Sequence, residues 1–253
     1  MNLGITGKVA LVTGGSAGIG RAVAIQLAAE GVKVALTYHS QKDSAEQLGR
    51  EIGGIALPLT LDDPGSAVAC VKQTIEKLGS IDILVNNAVM WGDQWGPGKA
   101  KFEDVPLEQW QKIFRGNFEG TYAAIQAALP TMRANKWGRI INLSSGTALD
   151  GVSGTSPYAS AKSASHGLTS VLARELGAEG ILVNVVVPGI TLTERVAKHV
   201  TPELEAARAA GYPIKRLLPP DEVAPTIVFL ASALNTAVTG ETIRASGGRP
   251  YPY

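Results

Sequence analysis

Tyr158 and Lys162 are the residues whose types and spacing most directly suggest chemistry. Ser156 can cap a helix and Pro157 suits its first position, so the spacing predicts a helix starting here, with Tyr158 and Lys162 one turn apart on one face. A free phenol ionises near pH 10 and exchanges protons poorly at neutrality, whereas an ammonium beside it favours the phenolate and makes the pair a usable proton donor. Ser145 ends an apolar run over 138–145, and its hydroxyl can line the same cleft. Spacing alone does not single out this pair, because Tyr38 and Lys42 repeat it. What separates the two pairs is their surroundings.

The elements that must position these groups read as alternating strands and helices. An apolar run over 8–13 leads into Gly14-Gly15-Ser16-Ala17-Gly18-Ile19-Gly20 and then an Ala-rich helical pattern to residue 30. In such a turn Gly14 permits the bend, Gly18 lets backbone approach a pyrophosphate and Gly20 lets helix pack closely on strand. The helix start then offers its N–H groups to phosphate. No Gly-Lys-Ser/Thr follows, which argues against a nucleoside-triphosphate loop. A second strand over 32–38 ends in Tyr38, His39 and Ser40, with Lys42 beyond, and has no acid to grip the ribose hydroxyls. These donors suit a 2′-phosphate and favour NADP over NAD; the other reading is a solvated loop.

Further strands are expected over 55–61, 81–85, 138–145, 181–187 and 241–245, with helices over 66–78, 156–176 and 221–233. A helical pattern over 107–132 contains Asn117 and is expected to break or end near Pro130. The predicted architecture is a single α/β domain over 1–253, a Rossmann-like doubly wound parallel sheet flanked by helices, with its ligand at the carboxyl ends of the strands. Asn87 and Ala88 sit at one such end, as turn formers or as ties between neighbouring strands. The glycine-broken connection 89–106 carries Trp91 and Trp95, placed either to stack on a substrate ring or to pin the loop. The stretch 146–156 reads as a flexible loop, and 190–212 as a pair of helical patterns forming a mobile cover over substrate.

Composition removes other classes. The formal net charge is +1 and there is no basic run, so neither nucleic acid nor an anionic membrane is an expected partner. No apolar run approaches the ~20 residues of a membrane span and no signal-peptide core opens the sequence, so a cytoplasmic protein is expected. One cysteine, Cys70, and three dispersed histidines, His39, His166 and His199, leave no expected metal site.

The glycine turn, Asn-Asn-Ala, Ser145 and Tyr158/Lys162, in this order, closely resemble the short-chain dehydrogenase/reductase family over nearly the whole chain. The resemblance implies an NADP(H) site formed by Gly14, Ser16, Ala17, Gly18, Ile19 and Gly20, by Tyr38, His39 and Ser40, and by Leu61 and Asp62. It adds Asn87, Ala88, Tyr158, Lys162, Pro188, Gly189, Thr191 and Thr193 to that site. It also implies a catalytic set of Asn117, Ser145, Tyr158 and Lys162. Tyr158 gives a proton to a ketone oxygen held by Ser145, Lys162 lowers the phenol and binds the nicotinamide ribose, and Asn117 holds a water that relays protons to Lys162. Val89, Thr60-Leu61 and Ala17 depart from the family pattern, in the cofactor wall, the adenine contact and the glycine turn.

Substrate contacts are expected from Trp91, Trp95, Ser145 and Tyr158. The two tryptophans point to a small-molecule ketone that is bulky and cyclic or aromatic, such as a polyketide intermediate of secondary metabolism, with a linear 3-oxoacyl thioester as runner-up. An NAD-linked alcohol dehydrogenase and a non-catalytic nucleotide sensor are the rival functions. The resemblance further implies a homotetramer, with His166 near an interface. Tyr158→Phe removes one hydroxyl and should leave the fold and cofactor affinity intact while lowering turnover about 10²- to 10⁴-fold; turnover within about threefold of the parent would take the proton-donor role away from Tyr158.

Overall fold

A computed structural model describes residues 2–91 and 101–248. Its strands, β1 Val9–Val12, β2 Lys33–Tyr38, β3 Ile55–Pro58, β4 Ile83–Asn86, β5 Gly138–Leu143, β6 Ile181–Pro188 and β7 Thr242–Ala245, form one sheet in the order β3-β2-β1-β4-β5-β6-β7. Every neighbouring pair is parallel. The helices in chain order are α1 Gly18–Ala29, α2 Lys42–Glu51, α3 Pro64–Leu78, α4 Leu107–Phe114, α5 Gly120–Ala134, α6 Gly146–Asp150, α7 Ser156–Leu176, α8 Glu194–Ala197, α9 Pro202–Ala210 and α10 Pro220–Leu230.

The strands read as unbroken apolar runs because both faces of the sheet are covered. Ala10, Val12, Ile83, Val85, Ile141 and Val186 pack against α1 and α10 through Val23, Leu27, Val223 and Ile227. Their neighbours Leu11, Leu84, Ile140 and Val183 face the other way, onto Val71 of α3, Ile125 of α5 and Leu172 of α7. The alternation follows from the two-residue period of a strand. From β1 the chain builds outward to β2 and β3 on one side, while β4 to β7 lie on the other. The crevice where this order reverses opens at the carboxyl ends of β1 and β4, where Gly14 and Asn87 stand.

Several sequence expectations change in detail. Helix α2 was not anticipated; Ala45 and Leu48 bury against Leu36, with Tyr38 and Ile52 packed beside them. It separates the competing pair, since Tyr38 ends a strand while Lys42 starts the next helix and pairs with Glu46 at 3.8 Å. The break expected near Pro130 lies instead at Arg115–Glu119, one wide π-turn between α4 and α5, and Pro130 sits inside α5 on an exposed face. The loop expected over 146–156 holds α6, because Ser145 caps it by accepting the Thr147 N–H at 3.2 Å. Arg244 of β7 holds Asp150, at the other end of α6, through two bonds of 2.7 and 2.8 Å.

Polar ties join elements under the crevice. Asn86 donates to Asn142 at 2.9 Å, and Asn142 donates to Thr169 of α7 at 3.0 Å, both buried. His166, expected near an interface, bridges Ser144 at 2.7 Å and Thr242 of β7 at 3.0 Å within the chain. At the opposite end of the sheet the Asp82 carboxylate accepts the Val9 N–H at 2.9 Å, and buried Arg139 donates to the carbonyls of Gly138, Gly180, Ser232 and Asn235. Among the described residues no helix is long and apolar enough to cross a membrane.

Candidate active site

The glycine turn is built by close backbone approach. Gly14 takes φ +63° and its N–H donates to the Thr37 hydroxyl at 2.8 Å. A Cβ on Gly20 would collide with the Gly14 carbonyl and the Asn87 side chain. Thr13 Oγ1 accepts the N–H groups of Asn87 and Ala88 at 2.9 and 3.0 Å, and Asn87 Nδ2 donates to the carbonyls of Thr13 at 2.8 Å and Gly14 at 3.2 Å. Of the two sequence readings, Asn87 therefore ties the ends of β1 and β4 together. Ala17 brings no side-chain oxygen to cap α1, so the positive helix start faces the crevice. A helix start whose own cap residue offers it no side-chain oxygen, and glycines that admit no side chain, fit a dinucleotide pyrophosphate.

Along the rest of the crevice the expected contacts divide. Tyr38 is half-buried on α2, while His39 and Ser40 are exposed at the strand end. Leu61 and Ala88 line one pocket with Thr13, Leu59, Thr60 and Thr121. Asp62 faces a separate polar cleft with Glu108, Lys112 and Arg115. Ser16, Ala17 and Ile19 lie on the glycine turn, with Ala17 exposed.

Tyr158 and Lys162 share α7, whose first turn carries Pro157 as expected, with Thr155 rather than Ser156 at the cap position. Tyr158 is 4% exposed and Lys162 3%. Burial pushes the Tyr158 hydroxyl up to about 12, opposed by its hydrogen bond with Ser145. Burial also pulls the Lys162 ammonium down to about 8. Lys162 Nζ donates to the Leu143 carbonyl at 2.9 Å and lies 5.8 Å from the Tyr158 ring centre. In the folded chain desolvation dominates the Tyr158 hydroxyl, and Ser145 opposes it.

Asn117 projects from the π-turn and is buried. Its Oδ1 accepts the Met90 N–H at 3.1 Å, and its Nδ2 donates to the carbonyls of Met90 and Ile113, each at 2.8 Å. Gly116 leaves room for Met90, since a Cβ there would lie 2.6 Å from its sulfur. The Asn117 side chain is therefore engaged with the chain at Met90 and Ile113. The next residue, Trp91, stacks on Tyr158 with ring centres 4.6 Å apart and planes at 25°. That puts Trp91 at the proposed proton donor. Trp95 lies outside the described residues.

The covering segment begins at Pro188, which ends β6, and Gly189, whose Cβ would meet Ser246 at 3.0 Å. Thr191 is buried and donates to the Gly189 carbonyl at 3.2 Å, and Thr193 caps α8 by accepting the Val196 N–H at 3.3 Å. Two residues here were missed in sequence. Glu194 accepts the Gly18 N–H at 3.1 Å, and the Arg195 guanidinium lies 5.7 Å from the Trp91 ring centre. A Thr-x-Thr run followed at once by an acid and a base was the available signal, but it read as ordinary helix-start chemistry. Among the described residues no group of three or more His, Cys, Asp or Glu could hold a metal ion.

The arrangement has known counterparts. A family model described as enoyl-(acyl carrier protein) reductase matches residues 14–249. The chain is 35% identical over 246 residues to the 3-oxoacyl-[acyl-carrier-protein] reductase FabG of Staphylococcus aureus, covering 95% of this chain and 97% of that protein. It is 38% identical over 245 residues to the acetoacetyl-CoA reductase of Rhizobium meliloti, covering 96% and 98%. A solved structure described as a short chain dehydrogenase/reductase family protein matches with TM-score 0.85 at 36% identity, covering 98% of each chain.

Because the folded chain holds the Lys162 proton at about 8 against an ordinary 10.5, the unfolded chain binds that proton more tightly. The resulting penalty is fully present below the folded value and is relieved as pH rises toward the unfolded one. Urea unfolding of the wild type and Lys162→Met between about pH 7 and 10 should show the wild type gaining about 1–3 kcal/mol on the variant as pH rises. Cys70 and Arg139 titrate in both proteins and cancel in the difference. A difference that stays flat with pH would mean that Lys162 is not held as a depressed ammonium.

Proposed function

The chain belongs to the short-chain dehydrogenase/reductase family of oxidoreductases, and on that premise we propose that it is an NADPH-dependent reductase of 3-oxoacyl thioesters. The observation that carries the reading is Tyr158, hydrogen-bonded to Ser145 and one helical turn from buried Lys162, linked to the glycine turn through Trp91, Arg195 and Glu194. Relatives named for 3-oxoacyl and acetoacetyl thioesters match nearly end to end, which favours a ketone over the enoyl bond in the family model's description. NADPH is preferred because His39 and Ser40 are exposed at the end of β2, where no carboxylate opposes a 2′-phosphate.

Reduced nicotinamide, when bound, supplies the hydride for the ketone carbon. Tyr158 gives its proton to the ketone oxygen, and Ser145 holds that oxygen by a hydrogen bond. Lys162 supports the phenolate left on Tyr158, and solvent restores the proton. Asn117 fixes Met90 and so the place of Trp91 over Tyr158. Gly14 to Gly20, Asn87, Ala88, Leu61 and the run from Pro188 to Thr193 would hold the dinucleotide.

The stacking of Trp91 on Tyr158 favours a second reading, a cyclic or aromatic ketone such as a polyketide intermediate, because an indole beside the donor can stack on a substrate ring. NADPH and NADH oxidation should be followed with acetoacetyl-CoA, a bicyclic ketone and crotonoyl-CoA. The proposal expects kcat/KM highest for acetoacetyl-CoA with NADPH. Preference for the bicyclic ketone would establish the second reading, and turnover of crotonoyl-CoA alone, or preference for NADH, would overturn the respective part of the first.

We also propose a homotetramer with closed symmetry, supported by apolar side chains that α5 and α7 leave exposed, Tyr122 at 45% and Val171 at 51%. Light scattering at micromolar concentration should return about four chain masses; a monomer mass would overturn this assembly.

A further inference from the structure

The glycine turn already holds an anion, and it comes from the chain itself. The Gly18 N–H, first of α1, donates to Glu194 Oε2 at 3.1 Å. Gly18 takes φ +53°, and the Thr193 methyl lies 2.9 Å from where its Cβ would be, so the covering segment rests directly on the turn. Glu194 is otherwise exposed, and it opens α8, a helix only Glu194–Ala197 long. An exposed carboxylate gains little from a neutral N–H in water, but the start of a 12-residue helix without a side-chain cap carries partial positive charge that favours it.

We propose that Glu194 is a built-in competitor of the cofactor, occupying the pyrophosphate position until the dinucleotide displaces it. This rests on the dinucleotide reading of the crevice. Two anions cannot share one helix start, since like charges at contact distance repel and each claims the same N–H. Displacing Glu194 also moves its neighbour Arg195, which lies over Trp91, itself stacked on Tyr158. The arrival of the pyrophosphate therefore disturbs the segment that covers the proton donor.

The test is the dissociation constant of NADPH for the intact chain, read by fluorescence titration at low salt. Glu194→Gln keeps the size and removes the charge, and it should bind NADPH about fivefold more tightly than the wild type. The advantage should shrink as salt rises, and Glu194→Ala should move the same way. Glu203→Gln removes an equal charge from the exposed first turn of α9, where no contact with the glycine turn is present among the described residues, and should leave the constant unchanged. Unchanged or weaker binding by Glu194→Gln, or equal tightening by Glu203→Gln, would overturn the competitor while leaving the reductase reading intact. A wild type that binds neither NADPH nor NADH would remove the dinucleotide reading, and the competitor with it.

Discussion

Holding the Lys162 ammonium 3% exposed against the Leu143 carbonyl is the demand that shapes the cleft. Burying a cation with one hydrogen bond costs several kcal/mol, comparable to what two or three fully buried Leu or Ile side chains contribute. The sheet supplies those side chains on both faces, with Leu84, Ile140, Ile141, Val183 and Val185 all at 1% exposure or less. Helix α7 must also be fixed along its length, and it is: Asn142 reaches Thr169, Ser144 reaches His166, and Ser160 accepts from Trp110 of α4 at 3.0 Å. The position of Tyr158 is thus a consequence of where the fold can tolerate a buried lysine one turn away.

Much of this was legible because it depends on short-range rules. Alternating apolar runs and glycine-rich turns specify a parallel sheet, and the end of β1 specifies where a phosphate would bind. The Tyr158/Lys162 spacing announces itself on a helix start. Helix α2 was not legible because its apolar period, Ala45, Leu48 and Ile52, is short and set in an otherwise polar stretch. The π-turn at Arg115–Glu119 was not legible in the sequence, since the partner of its buried Asn117, Met90, lies 27 residues away and is met only in the fold. The balance between Tyr158 and Lys162 was also out of reach. Sequence shows the charges, whereas burial decides their protonation.

Contacts across the crevice form a second group that sequence could not show. Glu194 and Gly18 are separated by most of the chain, and only assembly of the sheet brings one over the other. The same holds for Trp91, Tyr158 and Arg195, which come from β4's loop, from α7 and from α8. These three side chains make the roof of the cleft a product of loop sequence, while its floor belongs to the sheet. Relatives with the same floor and different roofs can then differ in what they accept.

The ion pair between Arg244 and Asp150 links the final strand to α6, and α6 starts at Ser145. The outermost strand of the sheet thereby acts as a strut for the serine: β7 braces one end of α6 and Ser145 forms the other.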